Sequence, residues 1–290
     1  MAIFKISPRD IWIALSSLKP WQLLLLLFIY LLISLSQIIS RKYLLYSLSS
    51  PSGFKNLIFI HFSSMAAHYS TPAKVGFPLS VYLLNKFDGV PYPIGTTMIL
   101  IELVVSTTLC GLIALIGSFF YFTDRTHILI FSFFYLLLFG VLILCGIYVF
   151  LRRGEKSGRI YQFMKKTYEG FSLIAVSHLA LYTFFVLLIQ LLAGVTLVLL
   201  SGFFSEELSL WQAVIANSAA FFLGALSMIP MGLGVREGSM LFYLRHLGIA
   251  NEIGISIVTI QRLFSTGLSF VLGIIFGTVL GMRNINQNSM

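Results

Sequence analysis

Apolar positions along this chain come in long runs, separated by short polar stretches. A helix needs about 20 consecutive apolar residues to cross a bilayer. Runs that meet this length predict full spans at 21–40, 94–122, 127–151, 171–200 and 253–281, the first ending at Arg41-Lys42. Two further apolar regions are interrupted. Residues 57–69 lead into Ser70-Thr71-Pro72, and the pattern restarts at Gly76 and continues to Leu84. Residues 211–229 lead into Pro230-Met231-Gly232-Leu233-Gly234, and a short piece resumes from Glu237 to Leu247. Proline removes a backbone donor and clashes with the preceding turn, while glycine opens backbone angles closed to other residues. Each half is too short to cross, so each region is predicted to be a re-entrant helical hairpin, at 55–87 and 211–247. The fold class is therefore an all-α polytopic membrane protein, with about five full spans plus two broken re-entrant hairpins.

Composition narrows this further. Hydrophobic residues make up 58% of the 290 and charged residues 10%, with a mean hydropathy of +0.95. That balance excludes a water-soluble domain and predicts a single membrane domain over 1–290. The net charge of +9 sits on residues flanking the apolar runs, which suits anionic headgroups and the positive-inside bias, not nucleic acid. The most basic loop, 152–169, carries Arg152, Arg153, Lys156, Arg159, Lys165 and Lys166, and is predicted to be cytoplasmic together with the C-terminus. Within it Ile160, Phe163, Met164 and Tyr168 share a helical face, which predicts an interfacial helix. The loop with Glu206 and Glu207 falls outside, and Ser209 with Gln212 forms a capping box for the helix that follows. No cleavable signal peptide is read at the N-terminus. A short amphipathic segment from Ser7, with Ile11, Ala14, Leu15 and Leu18 on one face, is predicted to lie in the membrane plane. The expected location is a cell (inner) membrane of prokaryotic type.

The two interrupted regions correspond. An offset of 158 places Pro72 on Pro230 and Gly76 on Gly234; an offset of 159 places Ile101-Glu102-Leu103 on Ile260-Gln261-Arg262. The chain then divides into repeat one, 21–122, and repeat two, 171–282. An odd number of crossings separates the hairpins, so they open to opposite faces as an inverted repeat. This arrangement puts the N-terminus outside and Arg41, Lys42, Lys55 and Lys86 inside. Gly273, Gly277 and Gly281 at four-residue spacing form a close-packing face on the last span, available for an oligomer contact.

Pro230-x-Gly232-x-Gly234-Val235-Arg236-Glu237-Gly238 resembles the signature of the lysylphosphatidylglycerol synthase transmembrane-region family, also described as flippase-like domains. Pro72-x-x-x-Gly76 with Tyr82-Leu83-Leu84 resembles its first broken hairpin, and Arg41-Lys42-Tyr43-Leu44-Leu45 the basic end of the preceding span. The similarity runs from about Trp21 to the end and does not extend to the soluble synthase domain. It implies lipid movement, or company for an enzyme that modifies lipid-linked sugars. The chain departs from the family pattern at Phe77, where an acid is usual, at Ser80, where an arginine is common, and at Leu103 and Ser106 beside Glu102. The first hairpin has thus lost polar groups that the second retains.

Charges at membrane depth cost about 2.5–3.5 kcal/mol each on insertion scales, so they pair or line a wet cavity. Those expected there are Glu102, Arg236, Glu237, Arg262, Lys74 and Arg245. Arg236 is the leading candidate for a phosphate-bearing substrate, because its fork matches phosphate and it opens a half-helix whose amides favour anions. Gly232, Gly234 and Pro230 supply the second break, and Pro72, Lys74 and Gly76 the first. Glu237 is read either as the partner of Arg236 or as a group that receives an amine or a proton. Glu102 and Arg262, with Gln261 beside it, are predicted to face each other across the pseudo-twofold axis, as a structural ion pair or as a coupling element. His61, His68 and His178 are read as packing or interhelical hydrogen-bonding groups, with no metal site and no cofactor. No nucleophile elbow, phosphate loop or metalloprotease motif is present, so no catalytic role is expected. The expected function is transport of an anionic phospholipid or polyprenyl-phosphate-linked lipid by alternating access. The alternatives are secondary transport of a small soluble anion, or a non-transporting membrane partner of a lipid-modifying enzyme.

Overall fold

The computed structural model describes residues 16, 18–71, 75–121, 158–227, 229 and 232–288. Pro72, Lys74, Pro230, the span expected at 127–151, residues 152–157 of the basic loop and most of the N-terminal amphipathic segment lie outside these residues. Among the described residues all regular structure is helical: α1 Pro20–Ser47, α2 Phe54–Ser70, α3 Gly76–Asp88, α4 Tyr92–Tyr121, α5 Arg159–Ser172, α6 Val176–Phe203, α7 Leu210–Leu226, α8 Val235–His246, α9 Asn251–Arg262 and α10 Leu268–Asn288. A π-helical turn, Leu263–Gly267, joins α9 to α10 without a break in direction of the chain's helical run. Among the described residues four stretches are long and apolar enough to cross a membrane: Pro20–Ser47, Tyr92–Phe120, Val176–Phe203 and Asn251–Met282. The protein is a multi-pass membrane protein.

Local chemistry accounts for most helix ends. Pro20 sits at the first position of α1, where its missing donor costs nothing, and Gln22 Oε1 accepts the Lys19 N–H at 2.7 Å. The Ser209–Gln212 capping box forms: Ser209 Oγ accepts the Gln212 N–H at 3.3 Å, and Gln212 Oε1 accepts the Ser209 N–H at 3.0 Å. Gly89 ends α3 in the left-handed conformation, φ 67°, and lets the chain turn directly into α4.

The half-length helices fall where the interruptions predicted. α2 and α3 form one hairpin, α7 and α8 the other. α1 and α6 each have 28 residues, and α2 and α7 each have 17. α4 touches the open ends of both hairpins at its two ends. Near its start it follows α3 through a three-residue connection, and Thr97 Oγ1 donates to the Thr167 carbonyl of α5 at 2.9 Å. Near its other end Ser118 Oγ lies 2.7 Å from the hydroxyl of Tyr243, close to the end of α8.

Two buried apolar clusters hold the fold. One gathers α1, α2, α3 and α4 around Leu44, Leu45, Ile60, Leu84 and Met98; the other gathers α6 to α9 around Leu197, Leu200, Met240, Leu244 and Ile257. Small residues bring α7 close to its neighbours: Ala213, Ala216, Ala219 and Ala220 are buried at its core face. Between lipid-solvated helices such close packing supplies what the hydrophobic effect supplies in water.

Two expectations change. α1 does not stop at Arg41-Lys42 but continues to Ser47, because Tyr43-Leu44-Leu45 carry on the helix with Leu44 and Leu45 fully buried. Arg41 is therefore inside the protein, 7% exposed, and not a boundary charge. Part of the glycine face of α10 packs within the chain: a Cβ at Gly273 would collide with Ala66 of α2 and Gly277 faces Ser63, while a Cβ at Gly281 would meet nothing within 4 Å. α5 carries Phe163, Met164 and Tyr168 exposed on one side, while Thr167 is buried against α4.

Candidate functional site

Between the two hairpins lies a cavity of about 210 Å3. Seven helices line it: Gln37 and Arg41 from α1, His68 and Tyr69 from α2, Gly76 and Phe77 from the start of α3 at the first interruption, Glu102 from α4, Gln190 from α6, Gly224 from α7, and Arg236 from α8, with Gly232 at the second interruption. The expected site residues Gly76, Gly232, Arg236 and Glu102 are thus brought together on one cavity wall system, although they are far apart in sequence.

The second interruption is shaped by its glycines. Gly232 and Gly234 have φ of 63° and 79°, a region that L side chains rarely adopt. A Cβ on Gly232 would lie 2.9 Å from the Gly224 Cα, and one on Gly224 would lie 3.1 Å from the Arg236 Cβ. Backbone therefore crosses backbone here, and this close crossing aims Arg236 at the cavity. Glu237, the third residue of α8, reaches back to accept the Gly234 N–H through Oε2 at 2.8 Å, which fixes the helix start. Its other oxygen, Oε1, accepts from Arg262 Nε, with both side chains about 15% exposed or less. Arg262 also donates to Thr266 Oγ1 at 3.4 Å, one turn further on and inside the π turn.

Glu237 is therefore committed to Arg262 and to its own helix, not to Arg236. Arg236 is half-buried, its guanidinium 5.9 Å from the centre of the Phe221 ring, and among the described residues it makes no hydrogen bond or ion pair. A guanidinium over an aromatic face in a desolvated cavity keeps its donors free for an incoming anion.

The first interruption is closed differently. A Cβ on Gly76 would meet the Ser64 carbonyl oxygen and lie 2.6 Å from the His68 Cβ, so the close approach of α2 and α3 at this point needs glycine. Phe77 packs its ring 4.9 Å from that of His68. Ser80 is 1% exposed, and its hydroxyl has no hydrogen-bond partner among the described residues. The departures from the family pattern at Phe77 and Ser80 thus leave an aromatic ring and a buried hydroxyl, in place of charges, at the start of α3.

The predicted Glu102–Arg262 pair does not form. Glu102 binds Arg41 instead, in a two-point contact: Arg41 Nε donates to Oε1 at 2.8 Å and Nη2 to Oε2 at 3.1 Å. Each charge takes the opposite charge nearest in its own half of the chain, and neither reaches across. Arg41 also approaches His61 Nδ1 with Nη1 at 3.3 Å; arginine has only donors, so His61 Nδ1 is the acceptor. Gln261, the position matching Glu102, enters a different chain of bonds. Its Nε2 donates to Asn217 Oδ1 at 3.3 Å, and Asn217 Nδ2 donates to Gln190 Oε1 at 2.8 Å. Sequence reading missed Arg41, Gln190 and Asn217. The signal for Arg41 was the apolar continuation beyond it, and for Asn217 its place in a run of buried small residues on α7.

His68 lines the cavity, and His178 packs against Tyr43 with ring centres 5.4 Å apart. Among the described residues no three of His, Cys, Asp and Glu cluster as metal ligands.

A family model described as the lysylphosphatidylglycerol synthase TM region matches residues 1–273 of the 290. A search of curated proteins finds none that matches.

Proposed function

This chain belongs to the lysylphosphatidylglycerol synthase transmembrane-region family, and from that premise we propose that it moves an anionic lipid across the cell membrane by alternating access, without catalysing a chemical step. The observation that carries this reading is Arg236: a guanidinium without an ionic partner among the described residues, lining a cavity between two interrupted hairpins. A cation in that position is expensive unless something anionic visits it.

The cavity volume fits a small anionic group. About 210 Å3 falls below the ~300–1000 Å3 of sites that enclose a whole drug-sized ligand. It suits a phosphate-bearing headgroup with the acyl chains left in the bilayer. The phosphate would sit at Arg236, against the backbone of Gly232 and the start of α8, where helix amides favour anions. The matching lengths of α1 with α6 and α2 with α7, and contact of α4 with both hairpin bases, support an inverted repeat in which one half rocks against the other. Under that reading the hairpins open to opposite faces, with the basic loop and C-terminus cytoplasmic. With Phe77 where an acid is usual, lining the cavity at the start of α3, this reading assigns the headgroup to the second hairpin.

Reconstitution tests this. In proteoliposomes carrying fluorescent phosphatidylglycerol in one leaflet, the protein is expected to speed its equilibration, and Arg236→Ala to remove most of that effect while elution from a sizing column stays normal. Uptake of a soluble organic phosphate without lipid movement would instead favour a transporter of small anions. Lipid movement unaltered by Arg236→Ala would overturn the assignment of the site.

A further inference from the structure

Each half of the protein holds a three-residue polar cluster; two of the three positions correspond between the halves, while Arg41 and Gln190 fall at different places along α1 and α6. In the first half α1, α2 and α4 contribute Arg41, His61 and Glu102; in the second, α6, α7 and α9 contribute Gln190, Asn217 and Gln261. His61 and Asn217 occupy the same position in α2 and α7, the eighth residue of each 17-residue helix. Glu102 and Gln261 are matched by the offset of 159. All six are buried or nearly so. One cluster is ionisable throughout, while the other is built only of amides.

The amide cluster shows that this place in the fold can be filled without charge. A buried ion pair is seldom needed for stability, since neutral groups of similar size serve as well. Arg41 and Glu102 also line the same cavity as Arg236, and Glu102 is the one carboxylate among the described residues lining it. The geometry points to a proton-binding site at Glu102, through which proton uptake is coupled to binding of a phosphodiester in this cavity; this rests on the headgroup reading of Arg236. Arg41 exchanges partners: its N–H bonds to the Glu102 carboxylate break as N–H bonds to phosphate oxygen form. Glu102, left as an uncompensated buried anion, takes a proton from the water reaching the cavity and stays neutral. No electron moves. The anion and its proton then cross together as a neutral package, so that the membrane potential neither drives nor opposes the crossing. His61 is a positioning residue, its Nδ1 holding the far side of the Arg41 fork in both states.

The titratable and charged groups around Glu102 are Arg41 from α1, His61, His68 and Tyr69 from α2, Tyr182 from α6 and Arg236 from α8. From α3 and α7 no titratable side chain lines the cavity. His68 is the competing proton acceptor, and the variant below separates it from Glu102.

The test is calorimetric titration of the purified full chain with dihexanoyl phosphatidylglycerol, and with its deacylated headgroup glycerophosphoglycerol, in buffers of different ionisation enthalpy. Wild type is expected to take up about one proton per phosphodiester bound near neutral pH. The Arg41→Gln/Glu102→Gln variant copies the amide chemistry of Gln190 and Gln261, and is expected to bind more weakly, through Arg236, with no proton uptake. Uptake with the lipid probe alone marks the acyl chains as part of the recognised species, and uptake with both marks the phosphodiester as sufficient; either supports coupling. Wild-type binding without proton uptake, or uptake that persists in the double variant, overturns the assignment to Glu102 while leaving the headgroup site standing. Binding of neither probe removes the headgroup reading, and the coupling with it.

Discussion

Glu237 holds two things at once, and removing it should show both. Its Oε2 accepts the Gly234 N–H at 2.8 Å at the start of α8, and its Oε1 accepts from Arg262 in the helix packed alongside. Loss of such a terminal bond costs about 1 kcal/mol. Leaving a buried partner charge unpaired costs about 3–5 kcal/mol. Arg262 keeps Thr266 at 3.4 Å, so the low end of that range applies. Glu237→Ala should therefore destabilise by about 4 kcal/mol, and Glu237→Gln by about 3 kcal/mol, since glutamine still accepts the Gly234 N–H. Arg262→Met combined with Glu237→Gln removes both charges, and the pair should couple by about 2 kcal/mol in the sense that the double variant is more stable than the sum of the two singles. The assay is reversible unfolding in mixed micelles, followed by tryptophan fluorescence. Additive singles would show that the Glu237–Arg262 contact carries no energy. Equal losses for Glu237→Ala and Glu237→Gln would show that Glu237 does not hold the start of α8.

Other substitutions test the rest of the site. Gly76→Val should separate α2 from α3, because its side chain meets the Ser64 carbonyl and His68; a loss of about 1–3 kcal/mol is expected from overpacking, measured in the same assay. Gly232→Ala combines φ of 63° with a Cβ 2.9 Å from Gly224 Cα, and should lower both stability, by about 2 kcal/mol, and lipid movement in proteoliposomes. Asn217→Leu strands Gln261 and leaves Gln190 only the Ser218 hydroxyl at 3.5 Å, a loss of about 1–3 kcal/mol that should be seen as a lowered unfolding midpoint.

Much of the architecture was legible in the sequence because its signals are local. The hairpins were marked by proline and glycine inside apolar runs; α7 begins where Ser209 places it, while α8 begins at Val235, ahead of the restart expected at Glu237. Arg236 was legible for the same reason, as a charge at the start of a half-helix. Pairings were not. Arg41 followed by Lys42 has the form of a membrane boundary, and only the packing of Leu44 and Leu45 reveals that the helix runs on. With Arg41 assigned to the surface, Glu102 lacked its nearest partner and was matched instead to Arg262 across the repeat. The amide chain through Asn217 depends on contacts separated by 27 and 44 residues, which no local pattern encodes. The same holds for the π turn at Leu263–Gly267, whose extra residue follows Arg262 without any glycine or proline at its start.

The central claim is that Arg236 receives the phosphate of a lipid between the two interruptions. The most direct measurement is a density map of the protein in lipid nanodiscs containing phosphatidylglycerol. The expected result is phosphate density within hydrogen-bond distance of the Arg236 guanidinium, beside Gly232, with acyl-chain density leading away into the bilayer, and its loss in Arg236→Ala. A cavity filled by an acyl chain or by protein, with headgroup density elsewhere and unaffected by Arg236→Ala, would contradict it.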